Sequence, residues 1–331
     1  MIKVIQIGLG PLGIQIAKYI QEKEGVETIA GIDIDPHISG KTLHDLDTEL
    51  SKEVKVFPSL GDAIEGLDQT PDAAIVTTVS SLKKLIPQIE QLANKGISVV
   101  STCEELAYPW DTEPVLSQEL DQLCKKNNIA CLGTGVNPGF LMDYLPSVLS
   151  SVCKNVDEII VERVQDASAR RIPFQKKIGA GLDLKAFRDK EKEGSLRHVG
   201  LSESVYLLAK ALDLKLDEVT ESLEPIVAET PFKSDAMSID QGNARGVEQI
   251  SIGYFKGERK LKMHFRAALG EPRSFDRITI KGTPSFVSEI DGGVNGDIAT
   301  CAVTINCLKN IVKIPSGLHT MIDTPVPGYF A

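Results

Sequence analysis

The run Ile2-Lys3-Val4-Ile5-Gln6-Ile7 passes directly into Gly8-Leu9-Gly10-Pro11-Leu12-Gly13, and these twelve residues decide the fold. A strand-like run is followed by G-x-G-x-x-G, and the glycines open a helical run that continues to about Glu22. Each glycine has its own task. Gly8 permits the tight turn, Gly10 lets a pyrophosphate approach the backbone, and Gly13 lets helix and strand pack closely, with the helix N-terminus toward the phosphates. The next strand-like run, VETIAGID, ends in Asp33, 33 − 13 = 20 residues beyond the last glycine, where a carboxylate accepts hydrogen bonds from an adenosine ribose. Gly8, Gly10, Pro11, Leu12, Gly13 and Asp33 are therefore expected to bind NAD or NADP. Asp33 favours NAD because a carboxylate there repels a 2′-phosphate; His37 and Lys41 are close enough in sequence to leave NADP open.

Working outward, the first 138 residues alternate β-branched runs with helical ones: VKVF, AAIVTT, a helix from about Ser81 to Lys95, ISVVST and IACLGT. This alternation predicts an α/β fold with a Rossmann-type doubly wound parallel sheet, and continuously apolar runs such as AAIVTT fit strands covered on both faces. Residues 139–295 change pattern. DEIIVERV, VEQISIGYF, LKMHFRAAL and RITIKG read as antiparallel strands, and LSESVYLLAKAL and LDEVTESL as helices, of a second α+β domain with a mainly antiparallel sheet. Helical spacing returns in IATCAVTINCLKNIV, so residues 296–331 are expected to pack back on the first domain, and the two domains to share a cleft.

The chain of 331 residues carries 36 Lys and Arg against 46 Asp and Glu, a formal charge of −10, with no basic cluster. That argues against a nucleic-acid or anionic-membrane partner. No apolar run approaches the roughly 18 residues of a membrane span, and MIKVIQIGLG lacks the parts of a signal peptide, so a cytoplasmic protein is expected. The six cysteines form no C-x-x-C pair and the five histidines no ligand spacing, so no metal is expected. The cysteines read as small buried hydrophobes, Cys103 being the one nearest the chemistry.

Ligands of open α/β sheets sit at the carboxyl ends of the strands, which adds Thr78, Ser80, Thr102, Cys103 and Asn137 to the cofactor-side residues. Glu104 and Glu105 follow the fifth strand, near the expected nicotinamide edge. Sugar-alcohol dehydrogenases on similar frameworks often carry Glu-Lys-Pro there; this chain has Glu104-Glu105-Leu106 and no lysine. A carboxylate at that point stabilises an ammonium or iminium and can shuttle a proton, which favours amine over alcohol chemistry. The competing reading makes both glutamates the acidic start of a helix. Asn137 and Phe140, after the sixth strand, supply an amide and an aromatic wall. Arg163, Gln165, Asp166, Arg170, Arg171, His198 and His264 are further pocket candidates, each weighed against an ordinary structural ion pair or core histidine.

Across nearly its whole length the chain resembles the native NAD(P)-dependent amine dehydrogenases, a dihydrodipicolinate-reductase-like group related to 2,4-diaminopentanoate dehydrogenase. The likeness rests on GLGPLG, GIDIDP, VVSTCEELAYP, LGTGVNPGFLMDYLP, DASARRIPFQKKIGAG, HVGLSES, GDIATCAVTINCLKNI and IPSGLHT. The resemblance implies reductive amination of small ketones or aldehydes with ammonia, the reverse oxidative deamination, and a homodimer joined through the second domain. It implies a catalytic glutamate in CEEL, carried to Glu104 with Glu105 as second choice, and a substrate pocket walled by Glu105, Asn137, Phe140, Arg163, His264 and Thr300. True dihydrodipicolinate reductases have a His-His motif and a Ser-Gly-Thr loop. Here that region reads RRIPFQKKIGAG, with neither. Arg170, Arg171, Lys176 and Lys177 could hold a carboxylated substrate, so a 2,4-diaminopentanoate-type dehydrogenase is the alternative, and a non-catalytic NADH-binding redox sensor the third reading.

Overall fold

In the computed structural model of the chain, which describes residues 1–170, 172–194, 196, 199–233 and 237–331, the backbone separates into two compact units. One comprises Met1–Phe140 with Asn295–Ala331, the other Leu141–Val294. In the first, the elements run β1 (Ile2–Ile7), α1 (Pro11–Gln21), β2 (Val26–Ile32), α2 (Leu43–Leu46), β3 (Val56–Phe57), α3 (Leu60–Gly66), β4 (Ala73–Val76), α4 (Leu82–Ala93), β5 (Ser98–Ser101), α5 (Pro114–Lys126) and β6 (Ala130–Gly133). In the second come α6 (Tyr144–Ser150), β7 (Asn155–Asp166), α7 (Ile172–Lys177), α8 (Leu184–Lys192), α9 (Leu201–Ala211), β8 (Glu218–Val227), β9 (Phe232–Lys233), β10 (Ser238–Ile239), β11 (Ala244–Phe255), β12 (Glu258–Ala268), β13 (Phe275–Thr283) and β14 (Phe286–Asp291). The chain then returns to the first unit as α10 (Gly296–Ile311) and β15 (Gly317–His319).

The first unit is a seven-stranded sheet in the order β15-β6-β5-β4-β1-β2-β3, with every pairing parallel. All four residues of β4 have no exposed surface, as a strand covered on both faces requires. Because β1 lies between β2 and β4, the connections leave it in opposite directions, and the crevice at the carboxyl ends of β1 and β4 is where such sheets take a ligand. The Rossmann-type reading of the sequence holds. Its seventh strand, β15, is three residues long and is not marked by any apolar alternation.

The second unit is built on a six-stranded sheet, β14-β13-β7-β12-β11-β8. Two expectations are corrected there. LDEVTESL is not a helix: Val219 and Leu223 lie in β8, paired antiparallel with β11. Two apolar residues four apart share a face in either a helix or a strand, so this spacing alone does not discriminate. Second, β7 runs parallel to β12 and antiparallel to β13. A strand inserted between two antiparallel arms must run parallel to one of them. One face of this sheet packs with α9 in a core that includes Val161, Val205, Leu208, Met263 and Phe265. The opposite face carries the half-buried ion-pair partners Glu162, Glu248, His264, Arg266 and Arg277.

Candidate active site

The glycine turn has the backbone that its sequence demands. Gly8 sits at φ +87°, a conformation that disfavours side chains. A Cβ on Gly13 would stand 1.9 Å from the Gly8 carbonyl oxygen, so only glycine lets α1 approach the turn. A Cβ on Gly10 would meet nothing within 4 Å, leaving the open space into which a pyrophosphate fits. Pro11 occupies the first turn of α1, where its missing N–H costs no intrahelical hydrogen bond, and Leu12 follows it. These residues fit a dinucleotide. The Asp33 carboxylate is half-buried and held at both oxygens: Leu9 N–H donates to Oδ2 at 2.7 Å and Asp35 N–H to Oδ1 at 2.9 Å. Each oxygen keeps lone-pair capacity for a ribose hydroxyl.

The later strands end at the same edge. Thr77 and Thr78 follow β4; Thr78 Oγ1 donates to Gln88 Oε1 at 2.8 Å, and Thr102 N–H donates to the Val76 carbonyl at 3.1 Å. Cys103 is fully buried and precedes a 3₁₀ turn, Glu104–Leu106. Burial pushes its thiol up to about 12, so it is a neutral packing group at neutral pH. Glu104 and Glu105 are both half-buried but are placed differently. The Glu105 Oε2 accepts from Leu82 N–H at 2.8 Å, and Glu105 N–H donates to the Ser80 carbonyl at 3.3 Å. Ser81, the N-cap residue of α4, makes no side-chain cap, so Glu105 satisfies an orphan donor of that helix. Its neighbour Glu104 begins the turn at the carboxyl edge of β5.

After β6, the segment from Thr134 to Phe140 folds on itself: a Cβ on Gly139 would stand 2.6 Å from Gly135 N. Asn137 is buried, in a cis peptide with Pro138, and Phe140 is half-buried. Thr300, in the first turns of α10, accepts from Val136 N–H at 3.3 Å through Oγ1. Thr300 is thus brought to the Asn137 loop, at the edge that also bears Gly8, Asp33, Ser80 and Glu104.

The second unit's candidates are arranged otherwise. Arg163 is 2% exposed; its guanidinium donates to Asp276 Oδ1 at 2.7 Å and to the Val294 carbonyl at 2.9 Å. Burial pulls its pKa down while Asp276 opposes the shift, the behaviour of a structural ion pair. Gln165 donates to the same Val294 carbonyl and accepts from Arg170, which stacks on Phe174. Asp166 accepts from Ser168 and Gly270 N–H groups. His264 pairs in register with Glu162, the neighbour of Arg163, so His264 and Arg163 project from opposite faces of the sheet. They do not meet in one pocket. His264 Nε2 lies 2.8 Å from Glu248 Oε1 instead. Burial alone would raise the Glu248 carboxyl, but His264 and Arg266 bring it below its usual value. Arg171 and His198 lie outside the described residues.

One participant escapes the motif. Gln6 has no exposed surface; its Nε2 donates to Thr77 Oγ1 at 3.0 Å and to the Gly8 carbonyl at 3.1 Å. Its signal was a single amide in an otherwise apolar stretch, Val4 to Ile7. Among the described residues no group of three or more His, Cys, Asp or Glu side chains could hold a metal ion, and no helix is long and apolar enough to cross a membrane.

Residues 140–330 match the 2,4-diaminopentanoate dehydrogenase C-terminal domain. The sequence is 34% identical to the 2,4-diaminopentanoate dehydrogenase of Acetoanaerobium sticklandii, over 98% of this chain and 94% of that protein. The fold superimposes on an amine dehydrogenase from Mycobacterium smegmatis with a TM-score of 0.87 at 22% identity, covering 99% and 97% of the two chains. It is also similar to the WlbA dehydrogenase from Bordetella pertussis, solved with NADH and UDP-GlcNAcA, with a TM-score of 0.56 at 14% identity and coverage of 93% and 87%.

Proposed function

The chain belongs to the 2,4-diaminopentanoate dehydrogenase family, and from that premise we propose a reaction, a direction and a catalytic group. The protein is an NAD(P)-dependent oxidoreductase that acts on amines. We assign it reductive amination of small ketones or aldehydes with ammonia, together with the reverse oxidative deamination. The observation that carries this reading is Glu104, a carboxylate opening a 3₁₀ turn at the carboxyl edge of β5 while its neighbour Glu105 caps α4.

When bound, the nicotinamide supplies or accepts the hydride. The chain's part is to bind, orient and manage charge. Ammonia adds to the carbonyl carbon and, with one proton taken up from solvent, water leaves, giving an iminium; the Glu104 carboxylate stabilises that cation and shuttles protons between the nitrogen and the departing oxygen. Asn137, Phe140 and Thr300 are the pocket residues that the same edge of the sheet supports. Asp33 favours NAD over NADP, because its charge repels a 2′-phosphate.

A second reading has a specific observation behind it: the 34% identity is to a dehydrogenase named for a diamino acid. Arg170, Lys176 and Lys177 are the cations of this chain that would hold such a carboxylate. We also propose a homodimer joined through the second unit, and residence in the cytoplasm, where cysteines that form no disulfide remain reduced.

The test is NADH and NADPH consumption by the purified protein across small ketones and aldehydes, each with and without ammonium at alkaline pH, beside NAD reduction with 2,4-diaminopentanoate. Consumption that needs both carbonyl and ammonium establishes reductive amination. Reduction of NAD by the diamino acid alone moves the assignment to the second reading. Consumption without ammonium, or binding with no turnover, overturns the amine reading in favour of carbonyl reduction or of a sensor. Light scattering on the eluting protein reads the dimer.

A further inference from the structure

We infer that Gln6 and Thr77 are positioning residues that fix the Gly8–Leu9 peptide plane, and through it both the pyrophosphate turn and the ribose-binding carboxylate. The inference rests on the dinucleotide-dependent reading above and concerns residues outside the glycine motif. It starts from an oddity of β1. Gln6 is fully buried in the middle of a parallel sheet, and its Oε1 has no hydrogen-bond partner among the described residues. An apolar side chain would fill that position without orphaning an acceptor, so packing does not account for the amide.

Its two protons do. One goes to Thr77 Oγ1 at 3.0 Å and the other to the Gly8 carbonyl at 3.1 Å. The Thr77 hydroxyl passes its own proton to the same carbonyl at 2.9 Å. Gly8 O therefore accepts from β1 and from the end of β4 together. The other end of that peptide unit is the Leu9 N–H, which donates to Asp33 Oδ2 at 2.7 Å. One planar group is thus pinned by Gln6 and Thr77 at its oxygen and by Asp33 at its nitrogen. Gly8, at φ +87°, is the residue about which this plane could otherwise turn. A rotated plane would withdraw the N–H that orients Asp33 and would move the carbonyl against which α1 packs, where a Cβ on Gly13 would stand only 1.9 Å from it.

The experiment compares Gln6→Met, Thr77→Val, Thr77→Ser and the double variant Gln6→Met/Thr77→Val with the unmodified protein. The direct readout is the Kd of NADH from fluorescence titration without substrate, and folding is followed by thermal melting. Gln6→Met and Thr77→Val should each raise the Kd about tenfold, the size of one lost hydrogen bond. The double variant should lose less than the product of the two, because both groups hold one carbonyl. Thr77→Ser, which keeps the hydroxyl, should stay within about twofold of the parent, and kcat at saturating NADH should change little in any variant that folds. An unchanged Kd, equal losses in Thr77→Val and Thr77→Ser, or failure of both Gln6→Met and Thr77→Val to fold would overturn the inference. Unmodified protein that binds NADH yet turns over no amine refutes the proposed function and leaves this inference standing.

Discussion

At the residue scale, the proposed function gives the two adjacent glutamates different tasks. Glu104→Gln keeps the shape of the turn but removes the charge and the titrating proton, and kcat should fall by about 10²–10⁴-fold with the NADH Kd unchanged. Glu105→Ala removes the acceptor for Leu82 N–H and should cost about 1 kcal/mol of stability, seen as a lower melting temperature, while turnover stays within about tenfold. Equal collapse of kcat in both variants would contradict this division. The missing lysine marks the pair as candidates in the sequence, but that Glu105 caps α4 could not be read there. Whether a carboxylate reaches a cleft or a helix end depends on rotamer and on where the next helix begins, which sequence spacing does not encode. The same limit applies to Arg163 and His264. Each is a reasonable pocket residue alone, and only the register of β7 with β12 puts them on opposite faces.

At the scale of elements, the segment from Pro325 to Ala331 ties α10 to the turn after α1. Asn310 Nδ2 donates to the Pro325 carbonyl at 2.7 Å, Lys309 Nζ to the Tyr329 carbonyl at 2.9 Å, and Glu24 N–H to Ala331 O at 3.1 Å. Lys23 also lies over the Tyr329 ring, 4.2 Å from its centroid. Phe330 is the anchor, 5% exposed, with its N–H donating to Asn306 Oδ1. Phe330→Ala should cost about 3 kcal/mol, read from denaturant unfolding, against almost nothing for Tyr329→Ala beyond its surface cation contact. This strap has no periodicity and could not be read from the sequence as an element. The long elements could: β1, α1, α4 and α10 carry repeated apolar spacing over several turns or residues, whereas in β8 Val219 and Leu223, four apart, satisfy two periods at once.

For the molecule as a whole, the buried thiols set an alkaline boundary. Burial pushes Cys103 and Cys307 up to about 12 in the folded chain, and a hydrogen bond with Cys124, together with burial, holds Cys131 well above its usual value. Below about pH 9 these thiols are neutral whether folded or unfolded, so the stabilisation is fully present there. As pH rises through 9 toward 12 the unfolded chain sheds protons that the folded chain retains, and stability falls. The melting temperature should therefore decline above pH 9, and more gently in Cys103→Ala than in the parent. The architecture of the first unit was legible because alternating apolar runs and the glycine turn agree, while β15 was hidden by its brevity. That short strand has a further effect, on the order in which the protein can be made. A chain emerging residue by residue completes β6 near residue 133, but the strand that covers its open edge arrives only after the whole second unit has been synthesised. Until then β6 offers unpaired N–H and C=O groups to any neighbouring chain. Residues 1–140 expressed alone should accordingly aggregate, and co-expression of 295–331 should bring them into the soluble fraction, so that a stretch translated later acts as an internal chaperone for an earlier one.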